Sequence, residues 1–174
     1  MHILFNALFL AAGVKWGAWR RWREFYPTIL YFISVDLLKN YLLYNHLMWT
    51  YQETFFAKSL LQNHTFINLM IMAIVYPSTV LIYLGRFPDE RWKQILWLAL
   101  WIFVYWIVEF INLKFLNLIN HHHGWNMGWS LLFLMVMFPM LRIHHKNPLL
   151  AWFLSVIFIL FLWNVFDVPI EIMK

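Results

Sequence analysis

Residues 95–119, ILWLALWIFVYWIVEFINLKFLNLI, decide the fold class. A helix needs about 17–25 mostly apolar residues to cross a membrane. Over this run Glu109 and Lys114 are the only charged side chains. There is no strict period-two alternation of the kind a transmembrane strand needs. A helix satisfies its own backbone groups, which a bilayer demands.

Working outward, charged clusters and Pro/Gly/Asn-rich breaks delimit five more such stretches, at about 3–19, 27–48, 64–85, 128–143 and 149–166. The expectation is an all-α integral membrane bundle of about six transmembrane helices, a single domain over 1–174. Composition agrees: 63% of residues are hydrophobic and only 12% are charged, against about 45–50% and about 25% in soluble domains. Polar side chains are too few to cover a soluble globule, and the absence of Cys removes a disulfide scaffold. The pI near 9.6 does not point to nucleic acid, because the basic residues have a topological explanation.

Arg20, Arg21, Arg23, Arg86, Arg91, Lys93, Arg142 and Lys146 fall in alternate loops, while Lys58, Lys114 and Lys174 lie on the other side. The positive-inside rule puts the first set in the cytoplasm and both termini outside. The N-terminal apolar stretch lacks a basic n-region and a small-residue cleavage site, so it reads as a retained helix. Trp16, Trp19, Trp22, Trp49, Trp92, Trp125 and Trp129 sit near predicted interfaces, as an aromatic belt would. Gly13 and Gly17 form a G-x-x-x-G that shares a helical face with Asn6 and suits close helix packing. Phe55, Phe56, Leu60 and Leu61 would suit an interfacial helix between 50 and 62.

The leads to function are polar residues at membrane depth. Asp36 falls almost at the centre of 27–48, where a charge costs roughly 2.5–3.5 kcal/mol. Lys39 and Asn40, three and four residues on, share its face and offer an internal ion pair. Glu109 is the counterpart in 95–119, with Tyr105, Asn112 and Asn120 within about 60° of it on a helix. His64, Asn68, Ser78 and Thr79 form a third stripe. One polar network of Asp36, Lys39, Asn40, His64, Asn68, Glu109 and Asn112, reaching the outer face, accounts for all three stripes; polar glue between helices is the plainer alternative. Pro77 and Pro139 interrupt two spans, and the acid-bearing and Pro-bearing spans alternate, which hints at a duplicated hairpin.

His46, His64, His121, His122 and His123 gather at the predicted outer ends of the spans. Imidazoles suit a divalent metal such as Zn, yet no helix offers two His at i and i+4. Hydrogen bonding to loops and pH sensing are the alternatives. His144 and His145 belong to a basic inner loop, and Asn63-His64-Thr65 matches a glycosylation sequon. There is no Gly-rich phosphate loop and no G-x-S-x-G elbow. Asp36 and Glu109 could do acid/base work only if their helices meet.

Lys15-Trp16-Gly17-x-Trp19, Tyr26-Pro27-Thr28, Asp36-Leu37-Leu38, Asn63-His64-Thr65, Glu109, His123-Gly124-Trp125-Asn126, Phe138-Pro139-Met140-Leu141-Arg142 and Pro148-Leu149-Leu150-Ala151-Trp152 run from the first helix to the last. Together they resemble a family of short multi-pass membrane proteins of spore-forming Gram-positive bacteria. That family has no assigned activity, and its pattern reads His-Asn-Gly-Trp where this chain has His122-His123-Gly124-Trp125. The resemblance implies a bacterial cytoplasmic membrane and supplies no substrate.

The expected role is binding, sensing or assembly through the intramembrane network, not catalysis. A small proton- or cation-coupled carrier or channel, and an intramembrane metalloenzyme, are the alternatives. The expected partners are the lipid bilayer and other copies of the chain in a homo-oligomer.

Overall fold

The computed structural model describes residues 2–52 and 64–169. The expected interfacial helix, Lys58, the sequon's Asn63 and Lys174 lie outside those residues. The chain runs α1 (His2–Trp16), a short 3-10 turn (Trp19–Arg21), α2 (Trp22–Leu42), β1 (Trp49–Tyr51), α3 (His64–Tyr83), α4 (Arg91–Lys114), β2 (Ile119–His121), α5 (Met127–Lys146) and α6 (Pro148–Val165). The helical class is as expected. Among the described residues four helices, α3 to α6, are long and apolar enough to cross a membrane. α1 has 15 residues, and α2 carries Arg23, Glu24, Asp36 and Lys39 among its 21. Neither meets that standard.

Helix limits follow local chemistry. α2 starts five residues before Pro27, so the proline lies within the helix instead of opening it. Arg21 and Glu24 pair at 2.7 Å across that first turn. α2 then stops at Leu42, six residues short of the expected end. α4 stops at Lys114 instead of continuing to Ile119, and Asn117 turns left-handed at φ 50°, a conformation that Asn tolerates better than most residues. Asn126 Oδ1 caps α5 by accepting from the Gly128 and Trp129 amides. Asn147 Oδ1 caps α6 in the same way through Leu150, with Pro148 at the first helical position.

These limits move the acids. Asp36 lies four residues past Phe32, the midpoint of α2, or about 6 Å toward its C-terminal end at ~1.5 Å per residue. Asp36 thus lies past the midpoint of α2 itself, whereas it is central to the stretch 27–48. Glu109 also lies in the C-terminal half of its helix, five residues before the end of α4.

α3 lies against both α1 and α2, and α5 lies against α4, α6 and α2. The core joins Phe25, Ile67, Val80, Tyr83, Phe138 and Leu141, all essentially inaccessible. Around it the outward faces are apolar: Ile95, Phe115, Leu149 and Phe153 are exposed. A water-facing protein does not present so continuous an apolar surface; lipid covers it without cost. At one end Arg86 Nε donates to the Trp16 carbonyl at 2.8 Å and Arg142 stacks over Phe87, while Lys39 and Lys114 lie in the last turns of α2 and α4, toward the other end.

At the other end the connectors pair. β1 and β2 form an antiparallel ribbon with Trp49 opposite His121, Thr50 opposite Asn120 and Tyr51 opposite Ile119. An acid-bearing helix, a strand and a Pro-bearing helix thus occur in that order twice, as α2–β1–α3 and α4–β2–α5.

Gly13 makes the close approach that the G-x-x-x-G suggested, while Gly17 falls past the end of α1 at Trp16 and does not share its helical face. A Cβ there would lie 2.7 Å from Ser78 Cβ and 3.1 Å from Ser78 Cα, so glycine lets α1 close on α3. Gly13→Val should lower the thermal unfolding midpoint in detergent, with a cost of about 1–3 kcal/mol from overpacking. An unchanged midpoint would show that α1 does not pack in this way.

Candidate functional site: a cavity beneath the ribbon

Asp36 is 8% exposed and its carboxylate is fully occupied. Oδ1 meets Lys39 Nζ at 2.6 Å, one helical turn on. Oδ2 accepts from Asn68 Nδ2 at 3.1 Å and from the Tyr76 hydroxyl at 3.0 Å, both on α3. Lys39 Nζ also lies 4.8 Å from the centre of the Trp49 ring, which links the pair to β1 by a cation–π contact. Asn40, expected in this network, is half-buried and makes no hydrogen bond to any of these groups. Tyr76 was not anticipated. It lies eight residues after Asn68, two helical turns along the same face, and that spacing was the available signal.

Glu109 builds a second cluster. Its Oε1 accepts from the Ser130 hydroxyl at 2.5 Å and meets His121 Nε2 at 3.0 Å. The Trp125 indole donates to Ser130 Oγ at 2.9 Å. No donor among the described residues reaches Oε2, and no Lys or Arg pairs with this acid. Asn112 is buried and turned to its own helix: its amide donates to the Val108 carbonyl at 2.7 Å.

Both acids border one cavity of about 270 Å³, near the small end of ligand pockets. Its wall takes residues from all six helices and both strands, among them Asn6, Asp36, Lys39, Tyr51, Tyr76, Tyr105, Glu109, Asn112, Ser130 and Ser155. Phe5, Phe32, Trp125, Phe133, Leu134 and Phe158 make most of the remainder aromatic or aliphatic. Trp49 and Tyr51 bring the ribbon into the wall.

His64 is not on that wall. Its Nδ1 accepts from the Tyr51 amide at 3.1 Å, and its ring stacks on Tyr51. The other outer histidines also fasten the ribbon. His122 Nε2 meets Thr50 Oγ1 at 3.0 Å, and the His46 and His123 rings stack with centres 3.7 Å apart. Burial, reinforced by the neighbouring His123 charge, holds His46 below the ordinary imidazole range. His2, unremarked in the sequence, contributes another tie through Nε2 to the Gln52 carbonyl at 2.9 Å. The five metal candidates are thus spread over separate contacts. Among the described residues no three His, Cys, Asp or Glu side chains come together as a metal-holding group.

Breaking the Asp36–Lys39 pair should be costly, because a half-buried ammonium would lose its counter-charge. Asp36→Asn should destabilise the protein by about 3 kcal/mol, the lower end for a broken buried pair. Asp36→Asn with Lys39→Met should cost less than the single change, read as unfolding midpoints in detergent. With Lys39→Met measured alone as well, a double loss equal to the sum of the two single losses would mean that the two side chains are not coupled. No protein-family model, no curated protein and no solved structure matches the chain.

Proposed function

We propose that this chain is a non-enzymatic membrane protein that binds a small ligand in the cavity beneath the ribbon, reached from the outer face. The carrying observation is that one cavity is walled by all six described helices and holds the two acids on a mainly apolar lining. A mostly apolar pocket with a few placed polar groups is the usual form of a small-molecule site. Asp36 is fully partnered and serves to hold α2 on α3. Glu109 is the acid with an oxygen left over.

All six helices are proposed to span a bacterial cytoplasmic membrane, with the basic end inside and the ribbon end and both termini outside. α2 crosses despite its charges because Asp36 and Lys39 enter as a pair. The alternation of basic connectors supports this orientation, and so does the resemblance to the spore-former membrane family.

Orientation is checked by single cysteines, since the chain has none of its own. Asn45→Cys should react with an impermeant maleimide in intact cells, and Asp89→Cys only after permeabilisation. The opposite pattern would invert the topology.

Binding is checked in nanodiscs. 2-Phenylethanol, a neutral probe of suitable size, should raise the unfolding midpoint saturably. Val35→Trp, which fills the wall between α2 and the cavity, should abolish the shift. Proton or sodium flux in liposomes that is lost in Glu109→Gln would replace binding with transport, because an acid with a free oxygen on a cavity wall can also carry an ion.

A further inference from the structure

Two acceptors on the cavity wall, Glu109 Oε2 and Asn6 Oδ1, have no hydrogen-bond partner among the described residues, and they favour a ligand that brings donors. Lys39 is committed to Asp36 and Trp49, so the one Lys or Arg among the described wall residues has no charge to offer an anionic ligand. Glu109 is neutralised by no Lys or Arg among the described residues, and both of its hydrogen bonds fall on Oε1. Asn6, on the same wall and 4% exposed, has a buried Oδ1 without a partner among the described residues, while its amide nitrogen donates to the His2 carbonyl. An unpaired buried acceptor costs about 1–3 kcal/mol, and a ligand that brings donors would relieve it.

The surroundings of Glu109 are aromatic. Tyr105 lies one helical turn before it on the same face, and Trp125 shares Ser130 with it. Ring faces attract cations, the more so when water is excluded. The hydroxyl of Tyr105 is engaged with Thr79 at 2.6 Å, so the ring is held in place and what it presents to the cavity is mainly its face and edge.

We infer that the cavity selects a small organic cation with an apolar body, an amine whose ammonium donates to Glu109 Oε2 while its hydrocarbon part lies against the aromatic wall. This rests on the ligand-binding reading above and names the ligand class. An inorganic cation would find two acceptor sites and a mainly hydrocarbon lining, which is poor coordination for a hard ion. An anion would find Glu109 and no free cation.

The test compares three probes of nearly equal shape on the full chain in nanodiscs by calorimetry and thermal shift. 2-Phenylethylamine should bind at least tenfold more tightly than 2-phenylethanol at neutral pH, and phenylacetate should not bind. Glu109→Gln should remove the preference for the amine and leave the alcohol's affinity within about twofold. Should Glu109→Gln fail to fold, Ser130→Ala provides the second measurement. It removes one of the two partners of Oε1 while keeping the charge and the His121 contact, and should retain the amine preference; loss of the preference would overturn the assignment to Glu109. Equal binding of amine and alcohol by the wild-type protein would overturn the cation inference and leave the ligand-binding reading intact. Binding by none of the three would overturn both. An amine preference that persists in Glu109→Gln would overturn the assignment to Glu109.

Discussion

Inside an apolar surround a polar side chain can be satisfied only by another part of the protein, and Asp36 is where this chain meets that constraint most sharply. Its carboxylate takes three partners from two helices: Lys39 on α2, and Asn68 and Tyr76 on α3. Each is a group that would itself be costly to bury alone. The arrangement locks α2 on α3 at the depth where α2 also borders the cavity. Other buried polar residues of the bundle follow the same rule, Asn6 Oδ1 being an exception. Thr28 meets His144, Tyr31 meets Ser155, and Thr79 meets Tyr105, each joining two helices through one hydrogen bond.

The ribbon extends that rule to the backbone. β1 and β2 are three residues each, too short to be stable alone. They persist because side chains from the helices and connectors supply what the strands lack. His64 receives the Tyr51 amide, His2 meets the Gln52 carbonyl, and His121 ties β2 to Glu109. The concentration of histidines at this end therefore has a structural use. An imidazole is compact, can accept at one nitrogen and donate at the other, and stacks on its neighbours. A consequence follows for the cavity: the elements that roof it are held by groups that also contact the acid proposed to bind ligand.

The two acids look equivalent in the sequence and differ in the fold. Both lie near the C-terminal ends of long helices that lead into a strand, and both are followed by a helix with an internal proline. Asp36 has a lysine three residues on and is neutralised locally. The lysine after Glu109 is five residues away, on the opposite side of its helix, and Glu109 is left with a serine and a histidine. A single difference in spacing separates an acid that builds the fold from one with an oxygen to spare.

How much of this was legible in the sequence depends on the range of the interaction. The helical class, the basic end, the close approach at Gly13 and the pairing of Asp36 with Lys39 were readable, since each depends on composition or on spacing within one helix. The limits of α2 and α4 were not, because hydropathy continues past Leu42 and Lys114 while the backbone turns away to pair as a ribbon. Nor was the division of the five outer histidines, of which His46 and His123 stack together while His64, His121 and His122 take separate partners. That Asn40 stays outside the Asp36 network, that Tyr76 enters it, and that Glu109 and Asp36 border one cavity were decided by tertiary packing alone. A helix sequence specifies which residues share a face, but which face meets which neighbour is set by how six helices and two strands close together.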